Sequence, residues 1–279
     1  MLLGYNTNGF AHHDPFEALT VLHDIGYRSV ALTLDHGPLN PFAADWPGNL
    51  SRLKDTLRQL KLKNVVETGA RYLLDPRTKH EPTLVSANDA ARQRRIDFLR
   101  RAIDAAEALD SDCVSLWSGI CRDDAADEAV LERLTESLRI VVQHATQRGV
   151  TLGFEPEPGM FIDGMKAYDR LLQWIDAPHL QLTLDVGHLW CQGELPLADY
   201  IARWSQRIVN VHIEDMRAGV HEHLMFGEGQ MHFPPILAAL AKTGYRGGLH
   251  VELSRHSHDA PAAAKKAYDF LHPLLPTDH

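Results

Sequence analysis

Short apolar segments that end in a polar or acidic residue alternate along this chain with longer stretches whose apolar positions recur every three or four residues. The first kind reads as strands and the second as amphipathic helices. Leu2 to Thr7 is the first strand, and Pro15 opens a helix through Phe16, Leu19, Leu22 and Ile25 that Gly26 closes. Tyr27 to Asp35 is a second strand. Gly37 to Gly48, rich in proline and glycine, reads as a loop. Leu50, Leu53, Leu57, Leu60 and Leu62 then supply a helical stripe, with a third strand at Asn64 to Thr68. The connection from Gly69 to Val85 carries Arg71, Tyr72, Arg77, Lys79 and His80 and is too polar for core. It reads as a solvated excursion, with a substrate-covering loop as the other reading.

The same alternation continues to the end. Ala87 to Leu109 and Asp123 to Arg148 are long helices around a strand at Cys113 to Trp117, with Gly149 as terminator. Strands at Thr151 to Glu155, Gln181 to Asp185, Ile208 to Glu214 and Gly248 to Leu253 are separated by helical patterns at Met165 to Ile175, Leu197 to Trp204 and Pro235 to Lys242. Ala260 to Leu271 closes the chain helically. Eight βα units without a break in composition predict an α/β protein with one (β/α)8 TIM barrel spanning residues 1–279. A doubly wound sheet is less favoured, since neither a dinucleotide glycine fingerprint nor a phosphate loop is found.

Four of these strands end in a residue that can bind a cation. They deliver Glu155, Asp185, His212 and Glu252, and residues two apart in a strand share a face. Leu152, Phe154, Leu182, Leu184, Val211, Ile213 and Val251 take the opposite faces and pack against helices. Each polar residue alone could equally cap a helix or satisfy a core hydrogen bond. Jointly, three carboxylates near one centre repel one another unless positive charge compensates them, and a divalent metal does so. The ligand types fit manganese, magnesium or zinc without choosing among them.

With these residues in view, the sequence resembles the xylose-isomerase-like TIM-barrel superfamily, above all its sugar isomerases and epimerases, with apurinic endonucleases as more distant relatives. The resemblance is carried by Phe154-Glu155-Pro156, Asp185-Val186-Gly187-His188, Val211-His212-Ile213-Glu214-Asp215, Phe226-Gly227-Glu228-Gly229 and His250-Val251-Glu252-Leu253, in that order. It implies Glu155, Asp185, His212 and Glu252 as ligands of one divalent cation, manganese or zinc first and magnesium or cobalt behind them. It also implies His188 against the substrate, the 227–229 turn at the pocket rim, and Glu155 and Glu252 as the proton-transfer pair. The reaction expected is aldose/ketose isomerisation or epimerisation of a keto-sugar, sugar phosphate or related polyol derivative through an enediolate. Arg217, Trp117 and Glu67 are further candidates for substrate contact. His221 and His223 lie where the endonucleases supply additional metal ligands, so a second metal at His188, His221 and His223 is the basis of a hydrolase alternative. The histidines those enzymes carry after strands three and four are missing here. A noncatalytic sugar-binding barrel is the other alternative.

Charge and cysteine content narrow the setting. A formal charge of −9 and no basic tail disfavour nucleic acid as partner. Cys113, Cys121 and Cys191 are scattered and odd in number, which fits a reducing compartment. With neither a secretory leader pattern nor a membrane-length apolar run, the expectation is a cytoplasmic enzyme with a small sugar-like substrate; the resemblance adds homo-oligomerisation.

Overall fold

The structure is a computed structural model that describes residues 1–175 and 177–275. Its first half runs β1 (Leu2–Asn6), α1 (Pro15–Ile25), β2 (Ser29–Thr33), α2 (Trp46–Leu60), β3 (Lys63–Glu67), α3 (Asp89–Leu109), β4 (Val114–Leu116) and α4 (Asp127–Arg148). The second half runs β5 (Leu152–Phe154), α5 (Met165–Trp174), β6 (Leu180–Asp185), α6 (Val186–Cys191), α7 (Leu197–Trp204) and β7 (Ile208–Ile213). It continues with β8 (Asp215–Arg217), β9 (Val220–Leu224), α8 (Phe233–Lys242), β10 (Gly248–Val251) and α9 (Ala260–Leu271). Eight parallel strands close a single barrel in the order β1-β10-β7-β6-β5-β4-β3-β2, while β8 and β9 form a separate antiparallel hairpin. This is the (β/α)8 architecture expected from the strand–helix alternation.

Local chemistry sets the helix ends. Asp14 caps α1 by accepting from the backbone N–H groups of Phe16 and Glu17, and Pro15 occupies the first turn. Gly149 ends α4 at φ 67°, a left-handed position that glycine takes without strain. Two expectations shift. The stripe ending at Leu62 stops at Leu60, because Lys61 turns left-handed at φ 53° and sends Leu62 toward β3. Within the expected 37–48 loop, α2 already begins at Trp46, with Pro47 in its first turn.

Alternation along the strands builds two cores. Leu182, Leu184, Val211 and Val251 face outward into the large apolar layer between barrel and helices. Ala31, Val65 and Cys113 form a small apolar cluster with Val209 packed against it. Polar side chains cross the barrel interior: Ser29 Oγ lies 2.9 Å from His250 Nε2, His250 Nδ1 2.8 Å from Asn210 Oδ1, and Asn210 Nδ2 3.2 Å from Glu67 Oε1. An amide oxygen only accepts, so His250 donates from Nδ1 and takes the Ser29 hydroxyl at Nε2. That chain leads from β2 through β10 and β7 to β3, at the foot of the candidate site. Among the described residues no helix is long and apolar enough to cross a membrane.

Candidate active site and metal centre

The C-terminal strand ends converge on His212. It pairs in register with Asp185 on β6 and with His250 on β10. Glu155 and Glu252 stand one position beyond β5 and β10, their backbone N–H groups donating to Leu116 and Ile213. His212 Nδ1 lies 3.0 Å from Glu155 Oε1 and 3.0 Å from Glu252 Oε2, and its Nε2 lies 2.9 Å from Glu67 Oε1. One ligand atom from each of Glu155, Asp185, His212 and Glu252 falls within 4.8 Å of all the others.

The electrostatics of this cluster suit a cation. Asp185 Oδ1 accepts the His188 backbone N–H and so caps α6, whereas Oδ2 is buried with no hydrogen-bond partner. Both oxygens of Glu214, completely buried, are also unpartnered. Burial raises the Glu155 pKa to about 8 against the opposing pull of His212. Burial also acts on Glu252, but the His212 charge and hydrogen bond outweigh it and hold that carboxyl below the usual range. His212, despite burial, is raised well above an ordinary histidine by Glu155, Glu67 and Glu252. A buried orphan oxygen and a carboxylate-rich donor set fit a divalent metal.

Beside this centre three imidazoles meet. His188 Nε2 is 3.0 Å from His221 Nε2, which is 3.2 Å from His223 Nε2. His188 Nδ1 faces the Pro156 carbonyl at 3.1 Å and His223 Nδ1 the Glu252 carbonyl at 3.3 Å. Carbonyls only accept, so both rings carry hydrogen on Nδ1 and turn Nε2 toward His221. Burial lowers the His188 pKa to about 4, in keeping with a neutral ring. Gly187 makes room for the Glu214 carboxyl, because a Cβ there would overlap Glu214 Oε1.

A cavity of about 360 Å³ opens over the cluster and is lined by Glu67, Trp117, Glu155, His188, His212 and Glu252. His221 and His223 line it as well, and Asp185 lies buried behind His188. Arg217 is elsewhere. β8 buries Asp215 and Met216 and turns the third residue outward, so Arg217 is exposed and reaches Glu222 at 3.6 Å. The 227–229 turn does not line the cavity either: Asp215 gathers it by accepting the N–H groups of Gly227, Gly229 and Met231.

Sequence reasoning missed three residues. Asn8 Nδ2 donates to Glu252 Oε1 at 2.8 Å, and Arg255 lines the cavity from the segment after β10. Buried Arg95 on α3 donates to the carbonyls of Pro82, Thr68 and His80 at 2.8, 2.9 and 2.7 Å and lies over the Trp117 ring at 4.5 Å. The 69–85 connection is therefore fastened down and supplies a cavity wall. A lone arginine in a charged helical run carries no mark of this task, although its position on the apolar side of α3 beside Ile96 and Leu99 was a signal.

Residues 19–274 match the family model described as xylose isomerase-like TIM barrel. The chain is 26% identical over 261 residues to L-ribulose-5-phosphate 3-epimerase UlaE of Shigella flexneri serotype 5b, covering 91% of this chain and 88% of that protein. The structure of L-ribulose 3-epimerase superposes with a TM-score of 0.79 at 20% identity, covering 98% of this chain and 94% of the other. The apo structure of 3-keto-D-glucoside 4-epimerase, YcjR, from E. coli gives a TM-score of 0.79 at 16% identity, covering 98% and 99%. At these identities the structural likeness is one of fold.

Proposed function

The chain belongs to the xylose isomerase-like TIM-barrel family, and on that premise we propose that it is a divalent-metal-dependent sugar epimerase or isomerase that moves a proton at the carbon beside a ketone. The observation that carries this reading is the pair Glu155 and Glu252, two carboxylates from separated strands that approach one His212 nitrogen at 3.0 Å each inside a cavity. The sequence similarity to a 3-epimerase supports it.

Glu155, Asp185, His212 and Glu252 would hold the cation, manganese or zinc before magnesium or cobalt. When bound it supplies Lewis-acid polarisation of the substrate carbonyl, which acidifies the adjacent C–H. One glutamate takes that proton, the C–H electron pair moves into the enediolate, and the other glutamate returns a proton to the opposite face. Return to the neighbouring carbon, with the hydroxyl proton passing from one enediolate oxygen to the other, gives isomerisation instead. Asn8 fixes Glu252 by donating to Oε1, which leaves Oε2 turned toward His212. His188, its Nδ1 hydrogen committed to Pro156 and its Nε2 facing His221, lines the cavity beside the substrate. Trp117 and Glu67 wall the cavity.

Deuterium incorporation from D2O into ketoses at the carbon beside the carbonyl tests the reading. Manganese-loaded protein should catalyse it, and Glu155→Gln and Glu252→Gln should each lower the rate by about 10²-fold or more. His212→Ala and Asp185→Ala should lose the metal while remaining folded. A protein that exchanges no ketose, or variants that keep both metal and exchange, would refute the assignment.

The three-histidine cluster favours a second reading, metal-assisted hydrolysis, because three imidazole Nε2 atoms converge next to the first centre. Metal analysis separates the two: one equivalent supports the epimerase, and a second equivalent lost in His221→Ala supports the hydrolase.

A further inference from the structure

We infer that the substrate carries a second, hydroxyl-bearing ring, and that this ring occupies a pocket beside the metal cavity. The inference rests on the epimerase reading. The pocket has a volume of about 320 Å³, close to the 360 Å³ of the cavity over His212. Asn8, Thr33 and Arg71 line both spaces, so the two are adjoining compartments of one cleft. Each alone is at the small end of the range of roughly 300–1,000 Å³ found for small-molecule sites, and a single sugar ring does not span both.

The lining indicates what the second compartment takes. Phe10 and Leu39, both buried, give it an apolar floor, and Tyr72, 45% exposed, presents an aromatic ring at its wall. Aromatic and aliphatic surface suits the C–H faces of a sugar ring. Asp35 and His36 add hydrogen-bonding groups for hydroxyls. Arg71 and Asp35 are the fixed charges that line the pocket beside the imidazoles of His12, His13 and His36; Arg71 faces Asp35 at 3.8 Å and donates to the Asn8 carbonyl at 2.8 Å. Its charge is offset within the pocket, which favours an uncharged ring over a phosphate. The junction is also placed for the chemistry. Asn8, at the threshold, is the residue that holds Glu252, so a ketone seated over the metal ligands and a substituent in the second pocket are parts of one molecule.

The test compares deuterium exchange by the manganese-loaded protein on free ketohexoses, their 6-phosphates, and ketoses bearing a glycosyl group at O4 or O6. The glycosylated ketoses should show kcat/KM about tenfold or more above the others. Tyr72→Ala and Ala11→Trp, the second filling the pocket from its exposed rim, should remove that advantage and leave the free ketoses within about twofold. Preference for a free or phosphorylated ketose, with both variants indifferent, overturns the inference. If no ketose exchanges, the epimerase reading fails by itself. Calorimetry then decides the pocket: glycosylated ketose bound by the wild type and not by Ala11→Trp upholds it, and absence of binding overturns it.

Discussion

At the scale of single residues, His212 has different partners on its two ring nitrogens, and this division decides what it can do. Glu67 at 2.9 Å keeps hydrogen on Nε2, so the proton that the charged ring directs from Nδ1 toward Glu155 and Glu252 is the one a bound cation would replace. A carboxylate behind a ligating imidazole orients the ring and raises its basicity. Glu67→Ala should therefore lower manganese affinity by about 10- to 100-fold in a competition titration, with the far-ultraviolet spectrum unchanged. Affinity equal to wild type would remove Glu67 from this role. The ligand candidates were legible because each stands where an apolar segment ends and alternation fixes the inward face. Arg217 also follows such a strand, yet hairpin β8–β9 restarts the alternation and turns it outward. Asn8 was not legible: it lies past the end of β1, where no periodicity says which way a side chain points.

Among the elements, the connection between β3 and α3 shows how a polar segment becomes a wall. Composition read it as a solvated excursion, because its charges were visible and its fastening was not. Arg95 supplies that fastening from the next helix, with three carbonyl acceptors on the guanidinium and Trp117 beneath it. Burial lowers its pKa to about 9, which still leaves the ion charged at neutral pH. Replacing it by leucine would orphan carbonyls and release the segment that brings Arg71 and Lys79 to the cavity. Arg95→Leu should cost about 3 kcal/mol or more in denaturant unfolding and raise KM more than it lowers kcat. Arg95→Lys should restore little, since an ammonium cannot span the three acceptors in the guanidinium's planar fork. Stability within about 1 kcal/mol of wild type in Arg95→Leu would show that the loop is held by other contacts.

For the molecule as a whole, eight strands can close a barrel from pattern alone, but the barrel then concentrates like charges at one end. Glu155, Asp185, Glu214 and Glu252 crowd a region where several carboxylate oxygens have no hydrogen-bond donor. Packing helices around the barrel does not relieve that repulsion; protons on Glu155 and His212 offset part of it, and a bound cation would take their place. On the metal-centre reading, metal binding and folding are linked. Manganese at about 100 times its dissociation constant should add about 2.7 kcal/mol. In a chain of this length that raises Tm by roughly 5–10 °C, an increment that chelation removes. Asp185→Asn separates the two contributions because only one of them depends on manganese. Burial opposes the Asp185 charge, but His188, His223 and His212 outweigh it and hold that carboxyl below the usual range. Removing the charge should therefore lower the Tm of the chelated variant modestly, while the rise on adding manganese nearly vanishes. The Asp185 cap on α6 survives the change, since the asparagine oxygen can still accept from His188. Differential scanning calorimetry of both proteins, with manganese and with chelator, gives four Tm values. A variant that keeps the full manganese increment would show that Asp185 takes no part in holding the ion, and one that melts far below chelated wild type would show that the carboxylate is needed by the fold itself.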